Sequence, residues 1–125
     1  MSTWSHTELS AIGDADELRV TSYRSDGTLR PFVTIWGVRA GDDIYVRSAH
    51  GPGNGWFSRA RTVGTGRIRA GGIETDVTFD AEITDTPTSI DAAYHAKYDR
   101  YGPGPVGAVT GPAAVDVTLR VRPRR

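Results

Sequence analysis

The sequence contains no cysteine, which excludes disulfide bridges, zinc sites built on thiolates and cysteine nucleophiles. Lysine is almost absent as well, because Lys97 is the single lysine among the 15 basic residues. No apolar run approaches the roughly 20 residues that a membrane-spanning helix requires, and the first residues lack the basic and then apolar pattern of a signal peptide. These absences lead us to expect a cytoplasmic protein without a membrane partner.

The length and the composition fit one folded domain. The chain has 125 residues, of which 38% are hydrophobic and 24% are charged, and it contains 15 glycines. It therefore has enough apolar surface for a core and enough glycine for many tight turns. We expect a single domain over residues 1–125. The formal net charge of zero argues against strong binding to a nucleic-acid backbone, so we expect no nucleic-acid partner.

Alternation of apolar and polar residues predicts a mainly β fold with flanking helices. The clearest alternation runs from Ile73 to Thr84, where apolar and acidic side chains fall on opposite faces. Segment 31–39 is apolar on both faces, which predicts a central strand. Further strands are predicted at 18–23, 44–48, 67–70 and 115–122. Six short strands linked mainly by hairpins predict a small antiparallel barrel, because closure of a sheet removes its exposed edges.

Two helices have recognisable start signals. Ser5 and Glu8 have the spacing of a capping box, which predicts a short helix that ends near Gly13. Thr88 and Asp91 have the same spacing, which predicts the start of a longer helix. One stripe of that helix carries Ile90, Ala93, Tyr94, Lys97, Tyr98 and Tyr101.

Basic residues are concentrated in the middle of the chain. No acidic residue occurs from Ile44 to Ile73, whereas the next segment, 74–91, holds six acids and no base. The basic segment contains a glycine-rich loop, Ser48–Trp56, and five arginines: Arg47, Arg59, Arg61, Arg67 and Arg69. Glycine lets backbone amides approach a ligand closely, and guanidinium groups bind phosphate or carboxylate oxygens in pairs. We expect this region to hold a phosphorylated cofactor or a similar small anion.

Individual candidate residues have more than one interpretation. His50 can donate a proton or a hydrogen bond to a ring, although such a histidine is more often merely exposed. Tyr98 and Tyr101 can stack on a flat ring or donate to an oxyanion, and core packing is the alternative. Arg24 and Arg30 are either ligand contacts or ordinary solvated turn residues. No histidines or carboxylates have metal-ligand spacing, so we expect no metal site.

Several motifs together resemble the flavin split-barrel superfamily, and in particular its deazaflavin-dependent nitroreductase branch. They are Tyr23–Pro31, Ile44–Ser48, the glycine-rich loop and the pair Trp56–Phe57. An ordered set that spans nearly the whole chain is similar to the domain-of-unknown-function family numbered 2255. This set consists of Thr34–Arg39, Ile44–Ser48, Asp91–Tyr98 and Thr118–Pro123.

The resemblance implies a six-stranded antiparallel split β-barrel that usually forms a homodimer. It implies that FMN or a deazaflavin coenzyme binds between the subunit surfaces and that the protein is an oxidoreductase for a small organic substrate. The branch's phosphate contacts correspond to Arg24 and Arg30, and its cofactor loop to Ser48, His50 and Gly51. Its ring-side aromatic pair corresponds to Trp56 and Phe57, and its substrate-covering tyrosines to Tyr98 and Tyr101.

The residues alone leave a second hypothesis open. The same pocket can serve a cofactor-free domain that binds a small anionic or aromatic metabolite. His50, Tyr98 and Tyr101 are then the candidate catalytic residues, acting as acids and orienting groups.

Overall fold

The first element of the fold is a capped helix. The computed structural model describes residues 3–125, and its first helix, α1 (His6–Asp14), begins after the N-cap residue Ser5. The hydroxyl of Ser5 accepts a hydrogen bond from the Glu8 amide at 3.1 Å, and the Glu8 carboxylate accepts one from the Ser5 amide at 2.8 Å. The predicted capping box is confirmed. Leu9 and Ile12 are the buried residues of this helix.

Seven strands form one antiparallel sheet in the order β2-β1-β5-β6-β7-β4-β3. They are β1 (Leu18–Ser22), β2 (Val33–Ile35), β3 (Gly37–Ala40), β4 (Asp43–Arg47), β5 (Thr65–Ala70), β6 (Ile73–Asp80) and β7 (Thr118–Pro123). β2 and β3 lie at opposite ends of this order, yet only Trp36 separates them in the chain. The sheet must therefore curl until its two ends meet. The predicted class, a mainly β split barrel with flanking helices, is confirmed, with seven strands instead of six.

The structure corrects the prediction of one central strand at 31–39. The segment forms two edge strands instead, and they belong to different parts of the core. Val33 and Ile35 on β2 pack against the interior of the barrel, whereas Val38 and Ala40 on β3 belong to a second apolar cluster. Both faces of the segment are apolar because the chain changes from one cluster to the other at Trp36.

The two apolar clusters divide the fold. The first is the barrel interior, which contains buried side chains from five strands together with residues from α1 and α2. The second lies outside the barrel, between β3, β4 and the helices that follow β6. Its buried members are Val38, Ala40, Tyr45, Ile90, Tyr94, Tyr98, Val106 and Val109.

The remaining helices lie before β5 and between β6 and β7. They are α2 (Gly55–Val63), α3 (Pro87–Tyr98), α4 (Pro103–Gly107) and α5 (Pro112–Val115), with one 3₁₀ turn at Asp99–Tyr101. α3 begins earlier than predicted because Thr86 caps it, accepting from the Ser89 amide at 3.0 Å, and because proline suits the first helical position. Val115 belongs to α5 and is exposed, so the last strand begins at Thr118 and not at Val115.

Glu8 joins the first helix to the end of the chain. Its carboxylate binds both terminal nitrogens of Arg125, each at 2.7 Å, and this hydrogen bonding lowers the pKa of Glu8 to about 2. A lowered folded-state pKa stabilises the fold above the ordinary pKa of 4.5 and loses that effect as the pH falls towards 2. We therefore expect Glu8→Gln to reduce stability at pH 7, and the difference from the wild type to shrink steadily between pH 4.5 and 2.

Urea titrations at several pH values measure this difference. Glu82→Gln is the control, because Glu82 is exposed and forms no ion pair with the described residues. A Glu8→Gln effect of constant size from pH 7 to pH 2 would contradict the assignment.

Candidate functional site

A cavity of about 500 Å³ opens beside β2, at the loop that follows β4. Its volume lies within the range of about 300 to 1,000 Å³ that is usual for small-molecule sites. Most of its wall is apolar and two tryptophans contribute to it. The lining residues are Glu17, Val33, Thr34, Ile35, Trp36, Arg47, Ala49, His50, Asn54, Trp56, Pro105, Ala108 and Val109.

Trp36 is held in the cavity wall by stacking. Its ring lies 4.1 Å from the ring of Tyr98, centroid to centroid, with an angle of 8° between the planes. The Tyr98 hydroxyl lies 2.9 Å from the carbonyl oxygen of Asp16 and 3.1 Å from that of Gly37, and burial raises the pKa of Tyr98. Tyr98 therefore stays protonated and supports the tryptophan from beneath. Sequence reasoning did not assign Trp36 to the site.

Ser48 shapes the loop on the other side of the cavity. Its buried hydroxyl donates to the Gly51 carbonyl at 2.5 Å and accepts from the Asn54 side-chain amide at 3.0 Å. The same amide donates to the Ala49 carbonyl at 2.6 Å. His50 and Gly51 have φ angles of 63° and 94°, which reverse the chain direction between these contacts. The left-handed backbone of His50 costs on the order of 1 kcal/mol, and it places an exposed imidazole at the rim.

Arg47 is a buried charge in the cavity wall, with a side chain that is 1% exposed. Its Nε donates to the Thr118 hydroxyl at 2.9 Å, and its Nη1 donates to the Val109 carbonyl at 2.9 Å and forms an ion pair with Asp91. Asp91 also accepts from the Gly111 amide at 3.2 Å. This network fastens α3 and the segment before α5 to the barrel. The sequence pattern did not identify Asp91 as the partner of Arg47, since 44 residues separate the two.

A second set of positive charges lies on the other side of Trp56, which lines both the cavity and a narrow cleft beside Arg30 and Arg59. The Arg59 guanidinium folds over the start of α2, where a methyl group on Gly55 would lie 2.7 Å from its Nη1. The Nε of Arg30 is buried and has no hydrogen-bond partner among residues 3–125.

The start of α2 adds unpaired backbone donors to the same place. The first amides of a helix have no partner within it, and Asn54, the residue before α2, turns its side chain to the loop instead of capping them. Two guanidinium groups and these amides thus adjoin the aromatic cavity across Trp56. An anionic group next to a flat ring would meet complementary charge here.

The site residues predicted from the sequence separate into two groups. His50 and Trp56 line the cavity, Ser48 and Gly51 form its loop, and Arg30 lies in the adjoining cleft. The other four lie elsewhere. Arg24 is in an exposed turn, Phe57 is fully buried in the barrel interior, Tyr98 is beneath Trp36, and Tyr101 is 45% exposed and bonded to Asp16.

The predicted cluster of five arginines does not form. Arg69 pairs with Glu74 at 2.6 Å and Arg67 with Asp76 at 3.0 Å, across the hairpin of β5 and β6. Arg61 is exposed and packs on the ring of Phe57. The basic and acidic segments are successive in sequence, and antiparallel pairing places them side by side. Most of the positive charge that the sequence concentrates is therefore neutralised locally.

Comparison with known families adds to this geometry. A family model described as "Uncharacterized protein conserved in bacteria (DUF2255)" matches residues 8–121. The chain belongs to the DUF2255 family. No curated protein matches the DUF2255 chain.

The solved structures that resemble this DUF2255 protein include an F420 reductase and the conserved hypothetical protein Rv2991 from Mycobacterium tuberculosis. The F420 reductase is 18% identical with a TM-score of 0.55, and the match covers 93% of this chain and 92% of the other. Rv2991 is 15% identical with a TM-score of 0.54, and the match covers 99% and 83%. At these identities the similarity shows that the fold is shared.

Two further features of the described residues concern other kinds of site. Residues 3–125 contain no group of three or more His, Asp or Glu side chains that could hold a metal ion. Within the same range, every helix is too short or too polar to cross a membrane.

Proposed function

We propose that this protein binds a flavin or deazaflavin cofactor in the cavity beside Trp36 and Trp56, and that it is an oxidoreductase for a small organic substrate. The observation that carries the proposal is the continuity of two different surfaces. An aromatic cavity that suits a flat ring adjoins, across Trp56, an arginine-lined helix start that suits a phosphate. The fold shared with an F420 reductase supports the same function.

The residues present fit a phosphorylated ring cofactor. Trp36 and Trp56 offer flat surfaces for stacking, and Val33 and Ile35 on β2 offer apolar contact that excludes water. The buried Nε of Arg30 has no partner among residues 3–125, and the cleft beside it has a volume of about 10 Å³, so this cleft must widen for a phosphate oxygen to reach the Nε. Charge-assisted hydrogen bonds of this kind are about twice as strong as neutral ones.

Bound in the cavity, the cofactor ring supplies the hydride chemistry, and the protein supplies binding and orientation. Arg30, Arg59 and the first amides of α2 would hold the phosphate. Trp36 and Trp56 would stack against the ring. His50 stands at the open rim, where its imidazole can donate a hydrogen bond to a substrate that approaches from solvent.

The proposed contact between Arg30 and the phosphate gives a prediction that distinguishes binding of the phosphate from stacking of the ring. Arg30→Ala should weaken FMN binding about tenfold or more, because a hydrogen bond to a charged group contributes about 1.5–3 kcal/mol. Riboflavin, which has the same ring and no phosphate, should bind the variant and the wild type equally. Fluorescence titrations measure both dissociation constants.

Arg61→Ala is the control, since Arg61 lies on α2, is exposed and does not line the cleft that holds Arg30 and Arg59. FMN and coenzyme F420 are each titrated against the wild type. Failure of both to bind at concentrations up to about 1 mM would refute the proposal, because such weak binding lies outside the usual range for cofactors. An equal loss of FMN and riboflavin affinity in Arg30→Ala would refute the phosphate site.

The cofactor-free alternative has less support from the geometry. It assigns acid-base roles to His50, Tyr98 and Tyr101, but only His50 of these three lines the cavity. The Tyr98 hydroxyl is occupied by backbone carbonyls, and the Tyr101 hydroxyl by Asp16. The homodimer that the resemblance implies stays a prediction, which sedimentation velocity can check.

A further inference from the structure

A second cleft, of about 450 Å³, lies between the end of α1, β3 and α3. It shares no lining residue with the aromatic cavity. Its wall is mainly polar and contains Lys97, the single lysine of the chain. Nothing in the proposed oxidoreductase function uses this cleft or this amine.

The Lys97 amine is held in place without an ionic partner. Its Nζ donates to the Gly37 carbonyl at 2.6 Å and lies 5.0 Å from the ring centre of Tyr98. Among residues 3–125 it forms no salt bridge, because Asp16, the acid that follows α1, pairs with Arg100 and Tyr101 instead. The one attachment of the amine is therefore a backbone carbonyl, which can accept from a neutral amine as well as from a charged one.

The other charged groups around Lys97 oppose one another. Asp14 and Asp16 favour its charged form, whereas Arg39 on β3 and Arg100 after α3 bring positive charge to the same cleft. Burial is the largest influence, and it lowers the pKa of Lys97 to about 8. An ordinary lysine is almost fully charged at pH 8, whereas about half of the Lys97 amines are neutral there.

We propose that Lys97 is a nucleophilic amine and that the cleft binds a small aldehyde or ketone, which Lys97 captures as an imine. During the attack, one N–H of the neutral amine keeps its hydrogen bond to the Gly37 carbonyl. The lone pair of the Lys97 nitrogen is then free to attack the carbonyl carbon of a ligand in the cleft. The N–C bond forms and the carbonyl oxygen becomes a hydroxyl. The C–O bond then breaks, water leaves with both amine protons, and the C=N bond is complete.

The single lysine makes the proposal directly measurable. Benzaldehyde and cyanoborohydride, which reduces the imine to a stable secondary amine, are applied to the full chain between pH 6 and pH 11. Mass spectrometry of the Lys97 peptide gives the rate, and N-acetyl-lysine amide in the same solution is the reference. At pH 7 we expect Lys97 to react about 10- to 100-fold faster than the reference, with a midpoint near pH 8. A pH profile of the Lys97 rate with its midpoint near pH 10.5, or a Lys97 rate no higher than that of the reference amine, would overturn the proposal that Lys97 is a nucleophile.

Two variants test the cleft itself. Ala96→Trp narrows it, since Ala96 is exposed on α3 and lines the cleft, whereas Ala92→Trp is a matched control on the same helix outside it. We expect the Ala96→Trp protein to be alkylated by benzaldehyde about tenfold more slowly than the wild type. We expect the Ala92→Trp protein to react at the wild-type rate. Equal rates for all three proteins would overturn the assignment of the cleft as the binding site. The Lys97→Arg protein has no lysine amine, so any alkylation of it gives the background level of the measurement.

Discussion

Asp91→Ala is expected to lower the free energy of unfolding by about 3 kcal/mol, because it leaves a charged arginine buried without its ionic partner. The Arg47 side chain is 1% exposed and the Asp91 side chain is 29% exposed, so water can reach the vacated position only from the side of Asp91. The Gly111 amide loses its acceptor in the same variant. Urea denaturation measures the change.

The control for this variant is Asp99→Ala. Asp99 follows the same helix and bonds to His95, but both side chains are more than half exposed, so we expect a change of no more than about 0.5 kcal/mol. Removal of both charges in Arg47→Met with Asp91→Leu should restore much of the stability, because no buried charge then remains. Equal, small effects of Asp91→Ala and Asp99→Ala would show that the buried pair does not fasten α3 to the barrel.

Gly66→Ala should also destabilise the protein strongly, by about 3 kcal/mol or more, the upper end of the range for overpacked sites. Gly66 lies on β5, where it pairs with Ser22 on β1 and Val77 on β6. A methyl group there would lie 1.9 Å from the Thr21 carbonyl oxygen and 2.8 Å from the Phe79 ring. A backbone carbonyl within a sheet cannot move aside, so the pairing of β1 with β5 must open.

Thermal unfolding of Gly66→Ala, with Gly53→Ala as the control, measures this effect. A methyl group on Gly53 meets open space, and its backbone has no positive φ, so its unfolding temperature should change little. A Gly66→Ala protein as stable as the wild type would mean that β1 and β5 are not paired in this register.

The sequence predicted the parts of the fold that depend on local patterns. The capping box of Ser5 and Glu8 and the alternation on β6 each depend on residues that are close in the chain. The split at Trp36 could not be predicted in this way. The two apolar faces of segment 31–39 have the same pattern as a central strand. Only the curvature of the whole sheet shows that these faces belong to different clusters.

The candidate site was predictable where loop chemistry and family resemblance agreed, as at His50 and Trp56, which both line the cavity. The prediction of an anion site from the concentration of arginines was less successful. The sequence shows that basic and acidic residues are separated along the chain, but it does not show that β5 and β6 bring them together. Arg67 and Arg69 are neutralised by that pairing. Arg30 and Arg59 gather instead at the start of α2, from segments that only the fold brings into contact.

The indole N–H resonances of the three tryptophans give the most direct test of the central claim that a ring cofactor binds in the cavity. Trp36 and Trp56 line it, whereas the Trp4 indole donates to the Val121 carbonyl at 2.8 Å and belongs to the barrel interior. In a ¹H–¹⁵N titration with FMN and with coenzyme F420, at least one ligand should shift the Trp36 and Trp56 signals in a saturable manner and leave Trp4 nearly unchanged. Signals that stay fixed with both ligands, or a shift confined to Trp4, would contradict the account.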